Sequence, residues 1–434
     1  MTALRYVSTR GGAPATGLSE AIRTGLAPDG GLYLPEALPS ALALADESPP
    51  ELARDAARFL GPFFAGDPLE GEVGAMSAEA FAFPCPLVPM PGGDDRLELF
   101  HGPTAAFKDF GARFLAAAAT RIPSPGDGPR TVLVATSGDT GGAVASAFAG
   151  RPGVRVWILY PEGRIADRQE AQLTTWGDNV TAFAVEGSFD DCQRMVKAAF
   201  RREDLRLRLG LTSANSINLG RLLPQAAYHF HAARLHAQRT GQPMHPIIPT
   251  GNLGHAVAAL WAKRVGAPIG TVVFALNANR TVLDQWAHGR AEPRAAVPTL
   301  ANAMDVGIPS NLERLLHTVP DPTALRAETR AFSFDDARIE ATLRIAEARW
   351  GFVPCPHTAC ALLARTQLPE VEGGWTVVAT AHAAKFASVV EPLVGHPVDV
   401  PAPLAELLDR PRRRILVAPS LEALLEAAPN QGRD

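Results

Sequence analysis

No stretch of this chain reaches the ~18 continuous apolar residues that a membrane-spanning helix requires, and its opening, Met-Thr-Ala-Leu-Arg-Tyr, lacks a charged segment followed by an apolar one. The expectation is a soluble, cytoplasmic protein. Cysteine is scarce: Cys85, Cys192, Cys355 and Cys360 in 434 residues cannot form a disulfide framework, so reduced thiols are expected. Neither charge dominates, with 41 Lys and Arg against 45 Asp and Glu, which argues against a surface built for nucleic acid. An apolar fraction of 47% with only 20% charged residues argues against disorder. The sharpest shortage is lysine: of the 41 basic residues only Lys108, Lys197, Lys263 and Lys385 are not arginine. A lysine in such a chain is accidental, or it does what a guanidinium cannot, such as losing a proton and attacking a carbonyl.

What is present divides the chain into three parts. Residues 1–86 combine Gly-rich turns with helical patterns such as Glu51–Leu60 and read as a small, mostly helical domain. A segment with Pro84, Pro86, Pro89 and Pro91, followed by Gly92-Gly93-Asp94-Asp95, reads as an extended or turning linker. Within 87–400, short apolar runs alternate with small-residue turns and Ala-rich helical patterns. The runs are Thr131–Ala135, Val154–Leu159, Val180–Val185, Pro246–Ile248, Thr271–Leu276 and Trp375–Ala379. That alternation predicts an α/β region with largely parallel sheets. Residues 401–434 form an extension with an amphipathic piece, Leu421–Ala427, and a basic cluster, Arg410, Arg412, Arg413 and Arg414, read as a solvated face paired with local acids.

Lys197 and Lys263 lie among charged neighbours on helical patterns and are expected to be solvated. Lys108 lies in Pro103-Thr104-Ala105-Ala106-Phe107-Lys108-Asp109-Phe110, among small and aromatic residues that would desolvate it and lower its pKa, although a lysine snorkelling from a helix start fits the same window. Thr250-Gly251-Asn252-Leu253-Gly254 follows a strand and opens a helix, so its N–H groups suit a phosphate; an ordinary turn fits as well. Ser137-Gly138-Asp139-Thr140 stands in the same context, either facing a small polar ligand or capping its helix. Thr380 ends a strand ahead of Lys385, and nothing local decides whether that lysine answers nearby acids. Cys355-Pro356-His357-Thr358-Ala359-Cys360 has no second Cys/His pair at zinc spacing, so structural thiols are preferred to a metal site.

Taken in order, these windows resemble the threonine synthases, pyridoxal-phosphate enzymes of the tryptophan-synthase-β-like fold (fold type II), in the branch with a long N-terminal domain. The resemblance runs from Tyr6-Val7-Ser8-Thr9-Arg10-Gly11 to Thr380-Ala381-His382-Ala383-Ala384-Lys385-Phe386 and includes Asn215-Ser216-Ile217-Asn218 with Arg221. It implies a two-lobed α/β fold behind a small N-terminal domain. It implies Lys108 as the Schiff-base lysine and main proton carrier, Gly251, Asn252, Leu253 and Gly254 around the pyridoxal 5'-phosphate phosphate, and Thr380 at the pyridine nitrogen. Ser137, Asp139 and Thr140 would face the substrate amino acid, with Asn218 and Arg221 toward its phosphate. The implied reaction converts O-phospho-L-homoserine and water to L-threonine and phosphate, by γ-elimination and then β-hydration, in a monomer or homodimer that needs no metal. The alternatives are another eliminase or β-replacement enzyme of the same fold, such as a serine/threonine dehydratase, or a non-catalytic ligand-binding relative.

Overall fold

The computed structural model describes residues 3–40, 48–123, 129–136, 138–292 and 294–429. Each expected apolar run forms a strand, and the strands divide between two sheets. Five parallel strands, in the order Ile415–Val417, Val180–Val185, Val154–Pro161, Arg130–Ala135, Leu211–Thr212, make one sheet. Six make the other, in the order Thr329–Ser333, Val272–Leu276, Pro246–Pro249, Thr376–Ala379, Asp95–Glu98, Leu87–Pro89. Crossover helices cover the faces, which is why the central strands are apolar on both sides: Pro246–Pro249 and Val272–Leu276 are buried at every position.

The proline-rich segment is not a linker. Leu87–Pro89 pairs antiparallel with Asp95–Glu98 and closes one edge of the six-stranded sheet. An edge tolerates proline because one side of the strand has no ladder partner to bond. Val180–Val185 is likewise shielded by Ile415–Val417, so the C-terminal extension is part of the five-stranded sheet. Its arginines do meet acids, Arg412 with Asp167 at 2.6 Å and Arg414 with Glu170 at 2.9 Å.

The centre of the molecule is the helix Leu219–Thr240, buried along most of its length. The helix Leu52–Leu60 of the N-terminal stretch packs on it, with the rings of Phe59 and Phe230 5.5 Å apart. Asp55, fully buried on that helix, sits 2.7 Å from His231 Nδ1 and also accepts from Arg234. The first 86 residues thus share one apolar core with the long helix, running from Tyr6 through Phe64 and Phe114 to Phe230. They also contribute a small antiparallel pair, Tyr6–Ser8 with Tyr33–Pro35.

Candidate active site

Three chain segments meet where the two sheets face a common cleft of about 1900 Å³. The first is the turn before the helix Lys108–Arg121. It is stitched to the end of strand Thr376–Ala379: Phe107 N donates to Thr380 O at 2.8 Å and His382 N to Ala105 O at 3.0 Å. This pairing sets Lys108 and Thr380 on one wall, and both line the cleft. The Lys108 side chain is only 14% exposed. Burial pushes its pKa down, Asp139 opposes that, and the charges of Lys385 and Arg221 add to the lowering.

The second segment joins strand Arg130–Ala135 to the helix Asp139–Phe148. Gly138 takes φ +134°, where an added Cβ would stand 2.7 Å from the Gln169 amide. Thr136 Oγ1 accepts from the N–H groups of Gly138 and Gly141, both at 3.0 Å. Asp139 is 4% exposed, and its carboxylate is engaged on every side: Lys108 Nζ at 3.3 Å, Lys385 Nζ at 3.1 Å and Gln169 Nε2 at 3.2 Å. Burial alone would raise its pKa, but Lys385, then Lys108 and His357, hold it well below the usual carboxylate range. Thr140 lines the cleft beside it. Ser137 lies outside the described residues.

The third segment, Thr250–Gly254, joins strand Pro246–Pro249 to the helix Gly254–Arg264. A Cβ on Gly251 would meet the backbone of Met304 at 2.6 Å, so only glycine fits. Leu253 is in the left-handed region at φ +62°, held there by its buried side chain. The Asn252 side chain donates to Ser216 Oγ and accepts from Ser310 N, which ties the loop across the cleft mouth. The first N–H groups of the helix have no intrahelical acceptor, and no acid lies in its first turn.

Arg221 lines the cleft, 3% exposed, with one guanidinium nitrogen donating to Ala214 O and Nε without a partner among the described residues. Burial pushes its pKa down to about 10. Asn218, expected beside it, is not in the cleft wall. Its amide caps the long helix, accepting from Gly220 N at 2.9 Å, and donates to Ile22 O at 2.8 Å and Ser213 O at 3.1 Å. Both polar atoms of that side chain are thus spent, on the helix cap, on Ser213 and on the N-terminal stretch at Ile22.

The structure also adds residues that the sequence reading left undecided or gave another role. Lys385 is 1% exposed and donates to Thr104 O at 2.7 Å. His357 lines the cleft, accepts from Ala303 N at 3.1 Å through Nε2, and is pushed down to about 4 by burial. Cys355 is the cap of the helix Pro356–Arg365, its sulfur accepting from Thr358 N at 3.4 Å. Of the other lysines, Lys197 is exposed, whereas Lys263 is half-buried and donates to Gly270 O at 2.8 Å.

This geometry has close counterparts. Residues 84–382 match the model of the pyridoxal-phosphate dependent enzymes, residues 5–72 that of the threonine synthase N terminus, and residues 358–427 that of the threonine synthase C-terminal region. The threonine synthase of Escherichia coli is 41% identical over 397 residues, covering 91% of this chain and 92% of its own. This chain belongs to the threonine synthase family. A crystal structure of the E. coli family member superposes with TM-score 0.88 and 37% structure-based identity, covering 97% of this chain and 98% of that one. A pyridoxal-phosphate-bound threonine synthase from Brucella melitensis superposes with TM-score 0.89 at 34% identity, each chain covered to 98%. The family fold thus extends over the N-terminal stretch and the C-terminal extension as well as both sheets.

Proposed function

We propose that this chain converts O-phospho-L-homoserine and water to L-threonine and phosphate, with Lys108 joined to pyridoxal 5'-phosphate. The observation that carries the reading is a desolvated lysine lining the same cleft as a helix N-terminus that lacks an anion of its own. The residues suit the cofactor: the N–H groups of the Gly251–Gly254 turn and the start of its helix would hold the phosphate, and the Thr380 hydroxyl, on the same cleft, would serve the ring nitrogen without forcing a proton onto it. Bound there, the cofactor supplies an electron sink for the carbanion chemistry.

The protein's own groups do the rest. Lys108, whose burial favours the neutral amine, takes and returns protons at the substrate's Cα and Cβ as the γ-phosphate departs and water adds at Cβ. Arg221, which lines the cleft, presents guanidinium donors to the departing phosphate. Thr140, lining the cleft, offers its hydroxyl to the substrate amino acid. Asp139 is committed to cations and serves the amines rather than the substrate's own carboxylate.

A phosphate-release assay on O-phosphohomoserine, with threonine identified as product, tests the reading. Lys108→Ala is expected to lower turnover by at least about 1,000-fold. Undiminished turnover in that variant would refute it.

A further inference from the structure

Asp139 faces two amines, and only one of them is needed to carry the cofactor. A single buried carboxylate 3.3 Å from Lys108 would keep that lysine protonated, because the ion pair favours the charged form. A carboxylate left behind after the proton departed would be buried and unpaired, at high cost. The second ammonium removes this conflict. Lys385 Nζ holds Asp139 Oδ1 at 3.1 Å while Lys108 Nζ holds Oδ2 at 3.3 Å, so each oxygen has its own cation.

We propose that Lys385 is a positioning residue for the chemistry at Lys108: it anchors and neutralises Asp139, so that Lys108 can give up its proton without leaving a buried charge unpaired. The inference rests on the reading of Lys108 as the cofactor lysine. The anchor is built from three elements. Lys385 lies in the short helix Ala383–Phe386 and reaches Thr104 O at 2.7 Å, the same carbonyl that accepts from Gln172 Nε2 at 3.1 Å. Thr104 is in turn fixed by Asp109, which accepts its N–H at 2.8 Å and its hydroxyl at 2.6 Å. Gln169 completes the hold on Asp139 from the helix Asp167–Thr174.

Other charged or titratable groups face the cluster from the neighbouring elements. Asp109 is on the helix of Lys108, Arg221 on the long helix, His357 on the helix Pro356–Arg365 and His255 on the helix Gly254–Arg264. His357 and His255 are pushed down by burial and stay neutral near pH 7, and Asp109 and Arg221 are common to every variant below. Differences between variants therefore report Asp139 and Lys385.

The test follows the visible absorption of the cofactor-loaded enzyme against pH, which reports the proton on the nitrogen that joins Lys108 to the cofactor. Lys385→Met keeps the shape of the side chain and removes the charge, leaving Asp139 to Lys108 alone. The midpoint is expected to rise by about one pH unit or more. Asp139→Asn leaves the Lys385 charge unanswered, and the midpoint is expected to fall by a similar amount. The double variant is expected to return toward the wild-type midpoint, a coupling that loss of packing would not produce. A Lys385→Met enzyme that loads cofactor and titrates like wild type overturns the proposal. Should that variant not fold, Asp139→Asn carries the test, and an unmoved midpoint there overturns it equally. Borohydride reduction and peptide mapping of the wild type separate the two readings. Cofactor fixed elsewhere than Lys108 ends the functional reading, whereas cofactor on Lys108 with unmoved midpoints ends only this one.

Discussion

The helices Asp139–Phe148 and Gly254–Arg264 begin alike, and the proposed function gives them opposite ends. Each follows a parallel strand, and each is preceded by a residue at positive φ, Gly138 at +134° and Leu253 at +62°. The first helix supplies its own anion: Asp139 is its first residue, and Thr136 Oγ1 accepts from two N–H groups. The second has glycine in that first position and no acid in its first turn, while the nearby Asn252 amide is spent on Ser216 and Ser310. A glycine-rich turn after a strand therefore does not by itself say where an external anion goes. What decides is whether the first turn already holds a negative charge.

The most direct way to break this contrast is to give the second helix the first one's residue. Gly254→Asp puts a carboxylate where Asp139 stands on the other helix. It is expected to weaken pyridoxal-phosphate binding by at least about 30-fold, roughly 2 kcal/mol, in a spectroscopic titration of the apoenzyme. Gly254→Ala separates charge from bulk, because its Cβ would meet the Asn311 amide at 3.3 Å and Ser216 Cβ at 3.8 Å, side chains that can give slightly, and a change of a few-fold is expected. Equal losses in the two variants would mean that space, not charge, governs the turn.

At the first helix the expected effect falls on stability instead of binding. Gly138→Ala places a Cβ against the Gln169 amide at 2.7 Å in a backbone region that L-residues avoid, and it pushes Gln169 off Asp139. The expected loss of stability is about 1–3 kcal/mol, read by denaturant unfolding. A variant as stable as wild type would show that the Gln169 contact contributes nothing to holding the carboxylate.

Both turns and Lys108 were legible in the sequence because their signals are local: glycines between a strand and a helix, and a lysine among aromatic residues in a chain that otherwise uses arginine. Most central strands were legible for the same reason, as short, largely apolar runs, whereas Asp95–Glu98, polar in sequence, was read as part of a turn. Lys385 was equally conspicuous by its rarity, yet its partners Asp139 and Thr104 come to it only through folding. Asn218 misled because an asparagine that caps a helix and one that binds a ligand look the same in sequence. Its amide is consumed by Ser213 O, close by in the chain, and by Ile22 O, a carbonyl that only the docked N-terminal stretch brings near. Leu87–Pro89 reads as a linker from its prolines and becomes a strand because it lies at an edge.

A third helix extends the comparison, because its first turn is capped entirely by its own residues. Phe189–Arg201 follows strand Val180–Val185 and starts with a capping box, Ser188 and Asp191 each accepting from the other's backbone N–H. Hydrogen bonds from the Ser188 N–H and hydroxyl, with Arg194 nearby, hold the Asp191 carboxyl down at about 2. Because this folded value lies below the ordinary carboxylate value near 4, the ion adds stability above that pH and loses it as the carboxyl protonates. Asp191→Asn is therefore expected to be slightly less stable than wild type at neutral pH, the smallest of these effects. The gap should close as pH falls from about 4 to about 2. Cofactor binding should not move, since this helix already carries its own anion in its first turn. A gap that persists unchanged at pH 2 would mean that the amide disturbs packing, and the capping box would no longer serve as the neutral member of the comparison.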